Sequence, residues 1–434
     1  MDQALASGED LVAVTNPGTH LVDPVTHLQK RRKPTVKRSD SRILTTHVGS
    51  LVKPADLQDM FSAQQAGQTV DEAAMRSRVA SAVRNVVHKQ AEVGIDIAND
   101  GELSKSSWAA YFADRLSNIE ARGSGPPRTP IFAREEPDFP DWFEAARSGG
   151  GPAASSYVLR AATATRGRPQ PVIQSSYCVG EVKYIGQDLV QRDIANLKAA
   201  GEGTKVEELC MTALAPPIMS YFLRNEHYKD DRDFVMALAE AMNEEYRAIT
   251  EAGILLQLDE PAIATHWQIY PTWSVEDFRA WLEVQVEALN LSLKGIPEDR
   301  VRMHTCWGSV HHPHRADIPL EDIVDLILQV NVGAYSLEAS NPRHDHDWQV
   351  WKNLKLAEGK SLIPGVIGHF TDFIEHPQLV KERIVKYANV IGKENVIAGV
   401  DCGLGTRVGS ESVLWAKFES LVEGARLASE ELWG

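Results

Sequence analysis

The hydrophobic positions of this chain form short continuous apolar runs, and longer segments with helical periodicity separate them. The first run, 43–51, ends in a glycine turn, and the second, 95–102, ends in acidic residues. Between them we predict a helix over 70–93, with Thr69 or Asp71 near its start and Gly94 at its end. Strand, helix and strand in this order are typical of a parallel α/β fold.

The same alternation continues to the C-terminus. Further strands are predicted at 171–179, 207–212, 254–258, 301–306, 334–337, 361–366 and 395–400. Further helices are predicted at 231–252, 275–292, 320–329, 377–391 and 410–432. With the first two runs this makes nine candidate strands, so we expect one of them to lie outside an eight-stranded (β/α)8 barrel or to be a misread loop. An open doubly wound sheet is the alternative, although no glycine-rich phosphate loop follows the first strand.

Two segments interrupt this pattern. Residues 1–42 sustain neither the helical nor the strand periodicity of hydrophobic positions. This predicts an N-terminal arm that is disordered or packed at an interface, as in a homo-oligomer. The segment at about 123–171 is rich in Gly, Pro, Ser and Arg with interleaved aromatic residues, which predicts an insertion that acts as a lid or an interface. We therefore predict the arm followed by a single (β/α)8 TIM-type barrel over 43–434 that carries this long insertion.

Composition narrows the functional class. The net charge of −15 argues against a nucleic-acid or anionic-membrane surface, because both attract basic proteins. We see no apolar run of the roughly 18 residues that a membrane-spanning helix needs. The 4 cysteines are too few and too scattered for a disulfide scaffold. We expect a cytoplasmic protein with reduced thiols.

Polar residues follow several of the apolar strands, at the barrel rim where the chemistry of such folds takes place. Four of these residues, His304, Cys306, Glu338 and Cys402, offer one imidazole, two thiolates and one carboxylate. These are the ligand types of a tetrahedral zinc site. The alternative is two core thiols, a helix-capping glutamate and a hydrogen-bonded core histidine.

The charge of this ligand set indicates what a bound Zn²⁺ would do. Two thiolates and one carboxylate leave the site with one net negative charge, whereas a site that acidifies water relies on neutral ligands. An electron-rich zinc suits a substrate thiol held as a nucleophilic thiolate, with Glu338 as the ligand that would give way. The pattern therefore favours alkyl transfer to sulfur over hydrolysis.

Five short motifs occur in an order that resembles the catalytic barrel of cobalamin-independent methionine synthases. They begin at Thr45, Asp100, Gln257, His304 and Asp401, and read TTHVGS, DGE, QLDEPA, HTC and DCGLGTR. The resemblance runs from about residue 43 to the C-terminus. It implies a (β/α)8 barrel, a zinc cofactor and methyl transfer to homocysteine.

The resemblance also implies roles for individual residues. It assigns His304, Cys306, Glu338 and Cys402 as zinc ligands. Glu102 and Asp259 match the acids that hold the amino group of homocysteine, and two acids facing one cavity suit an ammonium group; strand-end caps or surface acids are the alternative. Ser50 lies where the family binds the carboxylate.

A catalytic proton donor is expected at His369. This histidine lies near the acid–base histidine of the family, but it is offset by one residue and lacks the following serine. The alternative is a histidine without a catalytic role.

Two departures from the family pattern matter. The full-length synthases have a second, N-terminal barrel, for which this chain has no room, so the alkyl donor (folate, corrinoid or other) stays open. The histidine-rich segments 311–314 and 341–348 are not part of the pattern. We predict solvated loops or contacts to a different substrate there, rather than a second metal site.

Three functions are compatible with these residues. The first is a zinc-dependent methyltransferase that acts on homocysteine. The second is a lyase or alkyltransferase that activates another thiol, such as coenzyme M, toward an epoxide, although two carboxylates would repel a sulfonate. The third is a zinc barrel without catalytic activity.

Overall fold

Eight parallel strands form the centre of the fold. The computed structural model describes residues 37–108, 111–122, 131–148, 175–308, 312–405, 407–408 and 410–434. The barrel strands are β1 (Leu44–Thr45), β2 (Ile97–Asn99), β5 (Glu208–Leu214), β7 (Leu255–Asp259), β8 (Val301–Thr305), β9 (Ala334–Leu337), β10 (Ser361–Ile367) and β11 (Ile397–Val400). Their order is β1-β11-β10-β9-β8-β7-β5-β2, and a parallel bridge between Thr46 and Ile97 brings the two ends together. The predicted TIM-type barrel is confirmed.

The ninth predicted strand lies outside the barrel. This strand, β4 (Ser175–Cys178), pairs antiparallel with β3 (Ile119–Arg122) and parallel with β6 (Leu223–Asn225). The three strands form a separate small sheet. Because an apolar run predicts a strand but not its partners, periodicity alone did not separate β4 from the barrel strands.

Helices connect the strands. Among the described residues, the α-helices are Ala55–Gln65, Glu72–Val93, Pro140–Ser148, Gln187–Gly201, Pro216–Phe222, Asp231–Glu251, Ala262–Ile269, Val275–Ser292, Val324–Ile327, Pro377–Ile391 and Glu411–Trp433. The helix predicted over 320–329 is wrong in extent, since a 3₁₀ turn at Leu320–Asp322 precedes the short Val324–Ile327 helix. The chain at Ile323 between them has a φ of −131°, which is not helical.

Apolar side chains fill the barrel toward the amino ends of the strands. One cluster takes a single buried residue from each of seven strands: Leu44, Ile97, Cys210, Leu255, Ala334, Ile363 and Ile397. A larger hydrophobic core includes buried residues of the strands and of the surrounding helices. This packing leaves the carboxyl ends of the strands for the polar residues.

Most of the predicted arm and much of the predicted insertion lie outside the described residues. Within the insertion, residues 131–148 are described and include the Pro140–Ser148 helix. Among the described residues, no helix has the length and apolar character to cross a membrane.

Candidate metal and thiol site

Three of the four predicted zinc ligands come together at the carboxyl ends of β8 and β11. One ligand atom each of His304, Cys306 and Cys402 lies within 4.8 Å of the other two. Both cysteines are thiols rather than halves of a disulfide, and their Sγ atoms are 4.0 Å apart. Two sulfurs bound to one tetrahedral zinc at about 2.3 Å would be separated by about 3.8 Å. The spacing therefore fits zinc without a large rearrangement.

His304 has a ring nitrogen that is suited to a metal. Its Nδ1 lies 3.4 Å from Ser336 Oγ, whereas its Nε2 is buried and has no nitrogen or oxygen hydrogen-bond partner within the described part of the chain. A buried polar atom without a partner is costly unless something binds it. The same Nε2 lies 3.9 Å from Asp259 Oδ1, which brings the metal cluster next to a predicted substrate-binding acid.

The two thiols differ in their protonation. Cys306 donates a hydrogen bond to Cys402 Sγ, and this bond, with a further contribution from His304, lowers the pKa of Cys402. The same bond to Cys402, together with burial and the charge of Glu338, raises the pKa of Cys306. Cys402 is therefore the thiol that ionises first.

Glu338 lies beside this cluster, after the end of β9, and neighbouring groups hold it. Its Oε2 accepts a hydrogen bond from the Trp307 backbone N–H at 3.0 Å, and its Oε1 accepts one from Asn341 Nδ2 at 3.0 Å. The Glu338 carboxylate groups with His369 and Asp401, with one ligand atom of each within 4.8 Å of the others. The structure thus has a compact sulfur cluster and, next to it, a carboxylate whose two oxygens already accept hydrogen bonds.

His369 is fully buried at the carboxyl end of β10. Within the described part of the chain, neither of its ring nitrogens has a hydrogen-bond partner. Burial is the main reason why the pKa of His369 falls to about 3. The ring of Phe370 covers it, with the two ring centroids 3.8 Å apart. His369 is therefore a neutral imidazole directed into the polar end of the barrel.

Asp401 is a site residue whose role the sequence did not reveal. Its Oδ1 accepts hydrogen bonds from the backbone N–H groups of Ala339 and Ser340, at 2.8 and 2.9 Å. Asp401 therefore fixes the chain just after Glu338. Its position directly before Cys402, at the start of the DCGLGTR motif, was the available signal.

The two predicted substrate-binding acids are buried close to each other. Burial, against the opposing charge of Lys105, raises the pKa of Glu102 to about 7 and that of Asp259 to about 6, and the charge of Asp259 contributes to the rise at Glu102. Glu102 has a φ of +59°, an uncommon value for a residue other than glycine. A methyl group at Gly49 would lie 2.7 Å from Glu102 Oε1, so glycine there makes room for this carboxylate. Such a pair favours a bound cation.

Trp108 is a second site residue that the sequence did not reveal. Its indole Nε1–H donates a hydrogen bond to Asp259 Oδ2. This bond leaves Asp259 Oδ1, which is buried and has no hydrogen-bond partner among the described residues. Trp108 follows β2 in an irregular segment, where neither periodicity nor spacing marks a tryptophan as functional.

Ser50 lies against the glycine loop that follows Cys402. Its carbonyl oxygen accepts hydrogen bonds from the backbone N–H groups of Leu404 and Gly405, at 3.1 and 3.0 Å. A side chain at Gly405 would overlap the carbonyl group of Leu51, which explains a glycine there. The first motif and the last motif of the sequence therefore meet at one place.

The predicted solvated loops are wrong for three of the histidines in these segments. His312, His314 and His344 are all buried, because carboxylates and aromatic rings surround them. His346 is exposed, as predicted, and His311 lies outside the described residues. Alternating His and Asp in a polar stretch therefore did not distinguish a buried network from a solvated loop.

Comparison with known proteins connects this geometry to a family. The family model described as "Cobalamin-independent synthase, Catalytic domain" matches residues 43–125 and 214–426. A methionine synthase of Sulfurisphaera tokodaii is 25% identical over 389 residues, which are 89% of this chain and 93% of that protein. A 2-hydroxypropyl-CoM lyase of Xanthobacter autotrophicus is 24% identical over 427 residues, which are 92% of this chain and 98% of that protein.

Solved structures agree on the fold. A B12-independent methionine synthase from a Shewanella species, in complex with selenomethionine, superposes with a TM-score of 0.64 at 19% identity. The superposition covers 90% of this chain and 99% of that one. Since the family model covers well over half of the sequence and includes all of the site motifs, this chain belongs to the cobalamin-independent methionine synthase family, as a member of its catalytic-domain group.

Proposed function

We propose that this protein transfers a methyl group from a second substrate to the thiol of homocysteine, and that it needs zinc to do so. The observation that carries the proposal is the position of the acid pair next to the sulfur cluster. Asp259 Oδ1 lies 3.9 Å from His304 Nε2, and one ligand atom of His304 lies within 4.8 Å of both cysteine sulfurs. A ligand with a thiol at one end and an ammonium group a few bonds away fits this arrangement.

The metal would be held by His304, Cys306 and Cys402, with Glu338 as the fourth ligand. A zinc ion in this set would keep the substrate thiol ionised at neutral pH. Trp307 and Asn341 donate hydrogen bonds to Glu338 and give its carboxylate partners when a substrate sulfur takes its place. This arrangement supports Glu338 as the ligand that leaves.

Glu102 and Asp259 would bind the substrate ammonium group. Two buried carboxylates near each other carry a desolvation cost and a mutual repulsion, and a cation between them relieves both. The acid pair therefore selects an amino-acid thiol over a thiol without an amino group. Ser50, next to the glycine loop, would bind the substrate carboxylate.

His369 would move the proton that methyl transfer requires. A neutral buried imidazole can donate or accept a proton after a small change in its surroundings, such as the arrival of a charged substrate. Its location in the group with Glu338 and Asp401 supports a role at the reacting end of the pocket rather than at the ammonium end.

A second candidate function is alkyl transfer between a sulfonate thiol, such as coenzyme M, and an epoxide. The similarity to the 2-hydroxypropyl-CoM lyase, which extends over 92% of this chain, favours it. The acid pair opposes it, because Glu102 and Asp259 would face a sulfonate of like charge. We therefore place homocysteine first.

Zinc-edge X-ray absorption on the purified protein, with and without homocysteine, tests the proposal. We expect two sulfur ligands in the free protein and three when homocysteine is present. A matched measurement with 2-mercaptoethanesulfonate should leave the two-sulfur spectrum unchanged. If that sulfonate thiol gives the third sulfur and homocysteine does not, the second function replaces the first. If the protein retains no zinc when it is prepared without chelators, both functions fail.

A further inference from the structure

His344 lies between two carboxylates in the loop after β9. Its Nδ1 lies 2.9 Å from Asp347 Oδ2, and its Nε2 lies 3.1 Å from Asp317 Oδ2. Because a carboxylate accepts hydrogen bonds, both ring nitrogens carry a hydrogen and the ring is an imidazolium. Burial opposes this charge, but the bonds to Asp317 and Asp347 outweigh it and raise the pKa of His344 to about 9. Neither the family resemblance nor the proposed function uses this residue.

The surroundings fix the orientation of the His344 ring. Its side chain is 4% exposed. Asp317 is itself held, since its Oδ1 accepts from Gln268 Nε2 at 3.1 Å and its Oδ2 lies 2.6 Å from His314 Nδ1. The Asp347 backbone N–H donates to the His344 carbonyl oxygen at 3.0 Å. The ring therefore cannot turn without the loss of two charged hydrogen bonds.

The ring of His344 holds Trp307. The two rings stack with centroids 3.9 Å apart and an angle of 24° between their planes. A cation over the face of an indole is attracted to its π electrons. On its edge, the Trp307 indole Nε1–H donates to the Ile318 carbonyl oxygen at 2.7 Å. Trp307 is thus fixed from two sides, and its backbone N–H donates to Glu338 Oε2.

The main chain of His344 holds Asn341. The His344 backbone N–H donates to the Asn341 carbonyl oxygen at 2.8 Å. Asn341 Oδ1 accepts from the Arg343 backbone N–H at 3.0 Å, and this bond directs Asn341 Nδ2 toward Glu338 Oε1. His344 therefore contacts both donors to the Glu338 carboxylate, Trp307 through its ring and Asn341 through its backbone.

These two donors hold the carboxylate beside the sulfur cluster. Glu338 groups with His369 and Asp401, whereas His304 groups with the two cysteines. A buried carboxylate whose oxygens both accept hydrogen bonds does not need a metal to offset its burial. The position of Glu338 in this structure is therefore one that the chain itself stabilises.

We propose that His344 is a positioning residue that sets the Trp307 N–H and the Asn341 amide to receive the Glu338 carboxylate when a substrate thiol takes its place. This inference rests on the proposed function, in which Glu338 is the ligand that leaves. His344 acts through the two donors and is not itself a catalytic residue.

Two affinities of the His344→Gln protein test this role. Glutamine cannot stack on Trp307 as an imidazolium does, and it cannot donate to both carboxylates. We expect the Kd for homocysteine, measured by calorimetric titration of the zinc-loaded protein, to rise by about 10-fold or more. The affinity for zinc, measured by competition with a chelator, should not fall, because a Glu338 carboxylate without these donors stays on the metal.

The opposite behaviour of the two affinities separates positioning from general damage, which would weaken both. An unchanged Kd for homocysteine, or a loss of zinc affinity as large as the loss of homocysteine affinity, would overturn the proposal. His88→Gln, at an exposed histidine on the Glu72–Val93 helix, is the matched control and should leave both affinities unchanged.

A double-mutant cycle checks that His344 acts through Asn341. Asn341→Ala removes one donor to Glu338 and should raise the Kd for homocysteine by itself. In His344→Gln/Asn341→Ala the rise should be smaller than the product of the two single rises, because residues that act through one another are not additive. A rise equal to that product would show that His344 and Asn341 act independently, which would also overturn the proposal.

Wild-type protein titrated in parallel separates this inference from the proposed function. If wild type does not bind homocysteine, both fail; if wild type binds it and His344→Gln binds it equally well, only the positioning role fails. Circular dichroism checks the fold. If His344→Gln does not fold, Asp347→Asn replaces it, since this variant keeps the ring on Trp307 and removes one carboxylate charge. It should raise the Kd by a smaller factor, and an unchanged Kd in this folded variant would overturn the proposal.

Discussion

Cys306 Sγ lies 4.0 Å from Cys402 Sγ, although 96 positions separate the two residues in the chain. Cys306 follows β8 and Cys402 follows β11, and β9 and β10 lie between these strands in the sheet. Only a strongly curved sheet brings the ends of such strands into contact. The sulfur pair is therefore a product of barrel closure.

Replacement of Cys402 by alanine should remove zinc and leave the protein folded. Cys402 lies in a loop and is only half-buried, so its loss opens no large cavity. We expect metal analysis to give less than a tenth of the wild-type zinc content in the thiolate cluster, with unchanged far-ultraviolet circular dichroism. Cys178→Ala, at a cysteine in the small side sheet, is the matched control and should keep its zinc. Full zinc content and full turnover in Cys402→Ala would contradict the proposed ligand set.

Replacement of Asp259 by asparagine should weaken the binding of homocysteine far more than the binding of a thiol without an amino group. A hydrogen bond to a charged partner contributes roughly 1.5–3 kcal/mol, which corresponds to about a 10- to 150-fold change in affinity. Calorimetric titration of the wild-type and Asp259→Asn proteins with homocysteine and with 3-mercaptopropionate measures the loss of affinity for each thiol. Asp325→Asn, at a surface aspartate paired with Arg279, serves as control. Equal losses for the two thiols would refute an ammonium-binding role for Asp259.

The barrel and the positions of its candidate metal ligands could be predicted because they depend on local patterns. Apolar runs that end in polar residues mark strand ends, and in a parallel barrel all of these ends lie on one rim. This rule alone places His304, Cys306 and Cys402 on that rim. Glu338 was found in the same way, but its hydrogen bonds to Trp307 and Asn341 were not.

The residues that escaped prediction act through contacts between distant segments. Trp108 meets Asp259 across 151 positions, and Glu135 meets His312 across 177. Hydrophobic periodicity describes which face of an element is buried, and it carries no information about which polar groups meet there. His312 was assigned to a solvated loop for the same reason, since Glu135, the carboxylate that offsets its burial, comes from a distant segment.

His47 should make the protein less stable as the pH falls below about 6.5. Burial lowers the pKa of His47 to about 4, and its Nε2 lies 2.7 Å from Gln90 Oε1. Because the unfolded chain binds this proton at a higher pH than the folded chain, stability is complete above pH 6.5 and is lost as the pH falls toward 4. The loss amounts to about 3 kcal/mol at most.

Urea unfolding of wild type and His47→Gln between pH 7 and pH 4 measures this effect. The difference in unfolding free energy between the two proteins should shrink as the pH falls, because glutamine does not titrate. Other acid-sensitive groups contribute equally to both proteins and cancel. A difference that stays constant with pH would show that His47 does not titrate as the structure indicates.

The loop that carries His369 is tied to the last helix by a buried ion pair. Lys417 Nζ lies 2.9 Å from Glu375 Oε2 and donates a hydrogen bond to the Gly368 carbonyl oxygen at 3.0 Å. Glu375 Oε1 in turn accepts from the Gly368 backbone N–H at 2.8 Å. Both polar groups of the residue before His369 are thus held by one pair of side chains.

Lys417→Met should therefore destabilise the protein and slow methyl transfer. Removing one partner leaves the buried Glu375 carboxylate unpaired, which costs about 3–5 kcal/mol of unfolding free energy. The double variant Lys417→Met/Glu375→Gln has no buried charge, and urea unfolding should show that it regains more than half of that loss. Because both variants lose the hydrogen bond to the Gly368 carbonyl, we expect kcat to fall in both, with KM for homocysteine nearly unchanged. A double variant that regains both stability and full kcat would show that the ion pair supports the fold without positioning His369.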